Sequence, residues 1–304
     1  VIKSVTVTNY LGESLKLELM KPEKTGIIVK KIEGLGPPKA TINSTKVSSG
    51  DGDVYNSARA EGRNIVMTLG FMFAPTVEAA RQKTYKYFPI KKPVTILVET
   101  DNRLCETVGY VESNEPDIFS EEEETQISIV CPSSYFSSAG SGGTTTVTFY
   151  GVEPLFEFPF SNESLTEPLI EFGAIKNRQE ENIWYDGDTE VGVVIRMHAL
   201  GEVRQVTIYN TGTRERMHID TDKLNEITGS GIKNGDDITI STIRGDKYIT
   251  LLRDGEYTNI LNALDRDTDW FQLSKGDNRF AYICEYGAED LEFKMEYKTL
   301  YEGV

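Results

Sequence analysis

Apolar residues return at every second position in segment after segment of this chain. Ile65, Met67, Leu69 and Phe71 form one such series, and Val191, Val193, Ile195 and Met197 another. Phe280, Tyr282 and Cys284 are followed by Leu291, Phe293, Met295 and Tyr297. A two-residue period places these side chains on one face of a pleated strand, so each segment needs a second layer to cover it. Shorter runs at 144–150, 205–210, 214–220, 237–243 and 247–252 extend the pattern. Turn signals separate them: Asp186-Gly187, Asn210-Thr211-Gly212, Asn234-Gly235 and Asp254-Gly255. The second half of the chain therefore reads as two packed antiparallel sheets, a β-sandwich.

Residues 32–88 carry a different succession of signals. Leu35-Gly36-Pro37-Pro38 is a stiff corner, because the prolines fix φ and remove two N–H donors. A polar reach, residues 41–61, follows with the turn Asp51-Gly52-Asp53 at its middle. Inside a compact domain such a reach is either a mobile loop or a functional hairpin. Gly62-Arg63-Asn64 leads into the Ile65–Phe71 series, and a helix is expected over 76–88. Val77, Ala80, Thr84, Tyr85 and Phe88 fall on its apolar stripe, Glu78 suits its N-terminal end, and Pro89 stops it. Before this stretch, 4–9 and 14–19 read as a hairpin and 26–32 as a strand; after it, 94–99, 103–112 and 126–130 are strands.

Ser137-Ser138-Ala139-Gly140-Ser141-Gly142-Gly143 has the composition of a flexible connection, which divides the chain into domains 1–136 and 137–304. Up to Phe136 there are sixteen Lys and Arg against eighteen Asp and Glu; beyond it there are sixteen against thirty. The net charge of −16 thus splits into −2 and −14. An acidic chain with no basic stripe is a poor nucleic-acid grip and a poor ligand for anionic membranes. The run Glu121, Glu122, Glu123, Glu124 is either a solvated loop or a surface that repels passing DNA.

Cys105, Cys131 and Cys284 are an odd number, far apart, without a Cys-x-x-Cys pair, so neither a disulfide framework nor a zinc site is implied and the thiols are expected to be single and buried. Lys3, Glu13, Lys16 and Glu18 break up any signal-peptide core, and no later run is long enough for a bilayer, so synthesis in a cytoplasm without membrane insertion is expected. Two histidines, His198 and His218, both at solvent-facing strand positions, leave little material for a nucleophilic triad, and no Gly-x-Ser-x-Gly elbow exists. Gly34-Leu35-Gly36 lacks the third glycine of a dinucleotide loop, with Lys39 in its place. Asp265-Arg266-Asp267-Thr268-Asp269 alternates carboxylates like a calcium loop, but Trp270 and Gly276 stand where the turn glycine and bidentate glutamate belong. No cofactor, metal or catalytic residue is expected. Trp184, Tyr185 and Trp270 could stack on sugars, although Trp270-Phe271-x-Leu273 reads more readily as a core strand.

A family resemblance runs through these features. Gly34-Leu35-Gly36-Pro37-Pro38, Asp51-Gly52, Arg63-Asn64-Ile65 and the helix with Glu78, Ala80 and Arg81 resemble the distal tail proteins of siphophages, and the likeness continues through Gly109-Tyr110-Val111-Glu112, Phe119-Ser120, Cys131-Pro132 and Tyr135-Phe136. Gly235-Asp236-Asp237-Ile238, Trp270-Phe271-Gln272-Leu273, Gly276-Asp277-Asn278 and Tyr301-Glu302-Gly303-Val304 carry it to the end. The resemblance implies a mainly β chain: an N-terminal β domain with one helix and an extended hairpin arm, then a galectin-like jelly-roll sandwich. It implies a non-enzymatic virion protein at the distal tail tip or baseplate, forming a homohexameric ring around the DNA channel. Implied partners are the major tail tube protein, a tail-associated lysin or tail fibre hub, and, as a further candidate, a receptor-binding protein, with no specific nucleic-acid binding. The arm would embrace the next subunit through Asn43, Lys46, Asp51, Gly52, Asp53, Tyr55 and Arg59, and Glu121–Glu124 would face the channel. The alternative is a cell-wall carbohydrate-binding module in the second domain, but His198 is followed by Leu200 and Glu202 and Trp270 by Leu273 and Lys275, so neither galectin sugar motif is present.

Overall fold

The computed structural model describes residues 1–46, 48, 50–72, 76–120, 122–153, 174–177 and 179–304. The chain forms two compact units, one of Val1–Gly143 with Leu300–Val304 and one of Thr144–Thr299. The first unit thus runs past the expected division after residue 136 to Gly143 and also takes in Leu300–Val304. The reason is pairing: Phe136–Ser138 bonds to Leu104–Asp117 on one side and Leu300–Tyr301 on the other, which draws the glycine-rich stretch and the last residues into the first sheet.

The first unit is built on a nine-stranded antiparallel sheet. Its main path runs Ser14–Glu18, Ile2–Thr8, Pro93–Thr100, Leu104–Asp117, Glu124–Cys131, Arg63–Phe71, Ile27–Glu33. The alternating residues read from the sequence point inward: Ile65, Met67 and Leu69 lie fully buried with Val5, Val7, Ile96, Val98, Ile127 and Ile129. Helix α1 spans Val77–Tyr87, with Thr76 as N-cap accepting from the Ala79 N–H at 3.2 Å. It buries Ala80, Thr84 and Phe88, but Tyr85 is exposed and Tyr87 packs on the core instead. At 100° per residue, Tyr85 is turned away from a stripe centred on Ala80 and Thr84.

The second unit is a sandwich of two antiparallel sheets. Six strands follow the order Thr144–Thr148, Leu291–Lys298, Val194–Ala199, Asp237–Ser241, Tyr248–Arg253, Glu256–Asn259. Four follow the order Glu180–Tyr185, Gly276–Tyr286, Arg204–Asn210, Glu215–Ile219. The inner faces meet in an aromatic cluster: Tyr282 of one sheet stacks on Phe293 of the other at 4.9 Å, and Phe149 meets Phe293 edge-on at 4.7 Å. A second helix, α2 over Thr221–Thr228, was not expected from the strand pattern. Asp220 caps its start and Gly229, at φ 78°, ends it in the left-handed conformation. Trp270 is another correction: Phe271 and Leu273 are buried, whereas Trp270 is half-buried, lies before the two-residue strand Gln272–Leu273, and has Lys247 Nζ 5.3 Å from its ring centre.

Candidate assembly surfaces

The polar reach is a hairpin. Strands Ala40–Lys46 and Asp53–Ala60 pair with each other and with no other strand among the described residues. Nearly every side chain in both strands is exposed. A two-stranded ribbon without a covering layer is marginal in water, so this one needs a surface to lie on.

Its register shows which side would do so. Ala40 faces Ala60, Ile42 faces Ala58, Ser44 faces Tyr55 and Lys46 faces Asp53, because the ladder skips Asn56 in a bulge between Asn43 and Ser44. Ala40, Ile42, Tyr55, Ala58 and Ala60 therefore share one face. Ile42 is 66% exposed and Tyr55 64%. The opposite face is polar apart from Val54, which stands opposite Thr45, and is tied to itself: Asn43 Nδ2 donates to Ser57 Oγ at 3.1 Å, Asn56 Nδ2 to Thr45 Oγ1 at 2.6 Å, and Thr41 Oγ1 to Glu61 Oε1. Of the residues singled out from the sequence, Tyr55 sits on the apolar face, Asn43 and Arg59 sit on the polar one, Lys46 and Asp53 pair near the tip, and Asp51 and Gly52 make its turn with Gly52 at φ 90°. Ile42 and the alanines escaped the sequence reading. Val47 and Ser49, also within the reach, lie outside the described residues.

The arm is rooted on Arg63, which is 5% exposed. Its Nη1 donates to the carbonyls of Gly34 (3.0 Å) and Gly36 (3.2 Å), its Nη2 to Ser134 O (2.6 Å) and Glu302 O (2.9 Å), and its Nε to Ser134 O (3.1 Å). Burial pulls the guanidinium below the usual arginine range, yet the carbonyl oxygens solvate it without a carboxylate. One cation thereby fixes the corner where the arm leaves the sheet. Gly34 adds a second constraint: its φ is 83°, and any Cβ there would collide with the Asn64 carbonyl.

The outer face of the same sheet carries apolar residues as well. Tyr110 stands opposite Val130 in the ladder, Val108 lies two residues away on the same face, and all three are exposed. The acidic run is less free than its sequence suggests. Lys30 Nζ bridges Glu122 and Glu124 at 3.1 and 3.0 Å, and Arg81 Nη1 reaches Glu123 at 3.3 Å. Glu121 lies outside the described residues.

Among the described residues, no group of three His, Cys, Asp or Glu side chains could hold a metal ion. The Asp265–Asp269 carboxylates are directed elsewhere: Lys223 Nζ reaches Asp265 at 3.0 Å, Arg216 Nη2 reaches Asp267 at 3.1 Å, and Asp269 accepts from the Arg216 N–H at 3.0 Å. Cys105 and Cys131 are buried, Cys284 is half-buried, and none of the three is in a disulfide. No helix among the described residues is long and apolar enough to cross a membrane.

No protein-family model matches the chain, and no curated protein matches it. Solved structures do. The SPP1 Dit (gp 19.1) protein, a paradigm of the hub adsorption apparatus in phages infecting Gram-positive bacteria, superposes with a TM-score of 0.64 at 11% identity, over 97% of this chain and 98% of that one. The chain has the fold of that hub protein. The match extends over residues of both units. Two structures of the phage P2 baseplate in its activated conformation, with Ca and with Sr, also match, at TM-scores of 0.45 and 0.43 and identities of 11% and 10%; they cover 98% and 97% of this chain and 99% and 98% of theirs.

Proposed function

We propose that the chain is a non-enzymatic structural hub at the distal tail tip of a bacteriophage, acting as a homohexameric ring between the tail tube and the tip proteins. The observation that carries this reading is the match to a hub adsorption protein along 97% of the chain. The hairpin adds a physical argument. A closed ring needs a heterologous contact in which one surface of each copy meets a different surface of the next. The apolar side of the arm, with Ile42 and Tyr55, is one such surface, and the Tyr110–Val130 face is an apolar complement on the same unit.

In this arrangement the tail tube protein docks on one side of the ring and a tail-associated lysin or fibre hub on the other. The sandwich units offer attachment to a receptor-binding protein. DNA passes through the lumen without being gripped, since a chain of net charge −16 has no basic stripe to hold phosphates. Of the acidic run, Glu122 is the channel-facing candidate, with a side chain 86% exposed, whereas Glu123 is turned onto Arg81 and is 28% exposed.

Negative-stain micrographs of the purified protein, alone and mixed with its tail tube protein, test the proposal. Ring-shaped particles with a central opening are expected in at least one sample. Dispersed single copies in both would overturn it.

A further inference from the structure

The turn between strands Ile2–Thr8 and Ser14–Glu18 meets the segment that follows α1 at one end of the first unit. Asn9, which is buried, ties the two together. Its Oδ1 accepts from the Leu11 and Glu13 N–H groups, both at 3.0 Å, and its Nδ2 donates to the Lys86 carbonyl at 3.2 Å. Beyond the helix, the Lys91 N–H donates to Val111 O at 2.9 Å and the Val111 N–H to Lys92 O at 3.4 Å, which lays residues 90–92 along the sheet. One surface results, built from the turn, the last residues of α1 and this segment.

Three properties of the surface narrow what could cover it. The first is apolar exposure: Tyr10, Leu11 and Ile90 all face solvent, Leu11 at 66%. The second is charge. Residues 10–13 and 86–92 hold three lysines and one glutamate, in a chain of net charge −16. Glu13 takes Lys86 at 2.8 Å, whereas Lys91 and Lys92 have no carboxylate partner among the described residues. Lys92 Nζ lies 5.3 Å from the centre of the Tyr10 ring, so cation and aromatic face are side by side. The third is strain. Lys91 sits at φ 65°, a left-handed backbone that a side-chain-bearing residue adopts at a cost, and strain of this kind gathers at binding surfaces.

We propose that this end of the first unit docks an acidic segment of a partner protein, one in which carboxylates are interspersed with aliphatic side chains. The carboxylates would pair with Lys91 and Lys92, and the aliphatic groups would cover Leu11, Ile90 and the edge of the Tyr10 ring. Charge complementarity selects this occupant, because a local excess of cations on an acidic chain attracts acids to one place only. A phosphate backbone would leave Leu11 and Ile90 uncovered, and an anionic bilayer would be repelled by the rest of the chain. The surface belongs to a single copy, so the inference does not depend on ring formation.

Fluorescence anisotropy on the full chain at low salt tests it. The probe is a labelled peptide of repeated Glu-Leu-Asp-Gly units, and the control peptide has serine in place of leucine. Binding of the first peptide is expected at about micromolar to millimolar Kd. Affinity should fall about tenfold or more for the serine peptide, in Lys91→Gln with Lys92→Gln, and in Tyr10→Ser with Leu11→Ser, and should be unchanged in Lys247→Gln on the other unit. Circular dichroism of each variant confirms that it is folded, and the two double variants test the surface independently of one another. No binding of the leucine peptide would overturn the proposal, as would equal binding of both peptides or affinity unchanged by both double variants. Tighter binding to a DNA duplex or to phosphatidylglycerol vesicles, lost in the lysine variant, would overturn it in favour of a nucleic acid or a membrane.

Discussion

The guanidinium of Arg63 lies 4.0 Å from the centre of the Phe136 ring, so a buried cation is held against an aromatic face while its donors reach carbonyls from three parts of the chain. Gly34, Ser134 and Glu302 are far apart in sequence, and Arg63 is the group that gathers them. Arg63→Ala removes all of these bonds and leaves the carbonyls dry. A loss of about 3 kcal/mol is expected, read as a lower urea midpoint of the first unit. Arg63→Lys should recover only part of it, because an ammonium cannot span the same carbonyls as the planar fork.

A second lock holds the sandwich. Asp236 is 1% exposed and receives Arg253 through two bonds, Nε to Oδ1 at 2.8 Å and Nη2 to Oδ2 at 2.5 Å. Arg253 Nη1 continues to Ser230 Oγ at 2.6 Å and Nη2 to Gly231 O at 2.7 Å, which pins the chain after α2. Asp236→Ala strands this cation and should cost about 3–5 kcal/mol in thermal or urea unfolding of the sandwich. Replacing both partners with apolar residues should cost distinctly less than the single change.

The cap of α2 predicts a pH dependence. Burial pushes the Asp220 carboxyl up, but the Lys223 backbone N–H, the Lys223 ammonium and the Asp222 N–H outweigh it and hold the group below its ordinary 3.8. A carboxyl depressed in the folded state adds stability that is fully present above the unfolded value and disappears as pH falls through the folded one. Asp220→Ala should therefore cost about 1 kcal/mol near neutrality. The gap between the two proteins in urea midpoint should close as the solution is acidified below 3.8.

The thiols give a direct chemical check on packing. Burial, followed by the Glu289 carboxylate, pushes the Cys284 thiol up to about 12, and burial raises Cys131 as well. Thiolates are the reactive species, so a thiol reagent at mildly alkaline pH should label none of the three cysteines in the folded chain and all of them in denaturant.

Several of these features could be read from the sequence and several could not. The inward residues of the strands were legible because a half-buried sheet imposes a period of two, and Ile65, Met67 and Leu69 obey it without interruption. Helix α2 was obscured by its own composition: Thr221, Asn225 and Thr228 are indifferent helix formers, and only the Asp220 cap and Gly229 marked its limits. The arm was visible as a polar reach, but its apolar face was not. Strict alternation groups Tyr55 with Ser57 and Arg59, whereas the bulge at Asn56 moves it beside Ala58 and Ile42.

The central claim is that the arm joins copies of this chain into a ring, and the solution mass tests it most directly. Light scattering across a concentration series, for the intact chain and for Ile42→Asp with Tyr55→Asp, measures that mass without assuming a shape. The account predicts a species six times the 34.1 kDa chain mass at high concentration, reduced to single copies by the two arm substitutions. A large species that survives both substitutions unchanged, or a mass of one chain throughout the series for the intact protein, would contradict it.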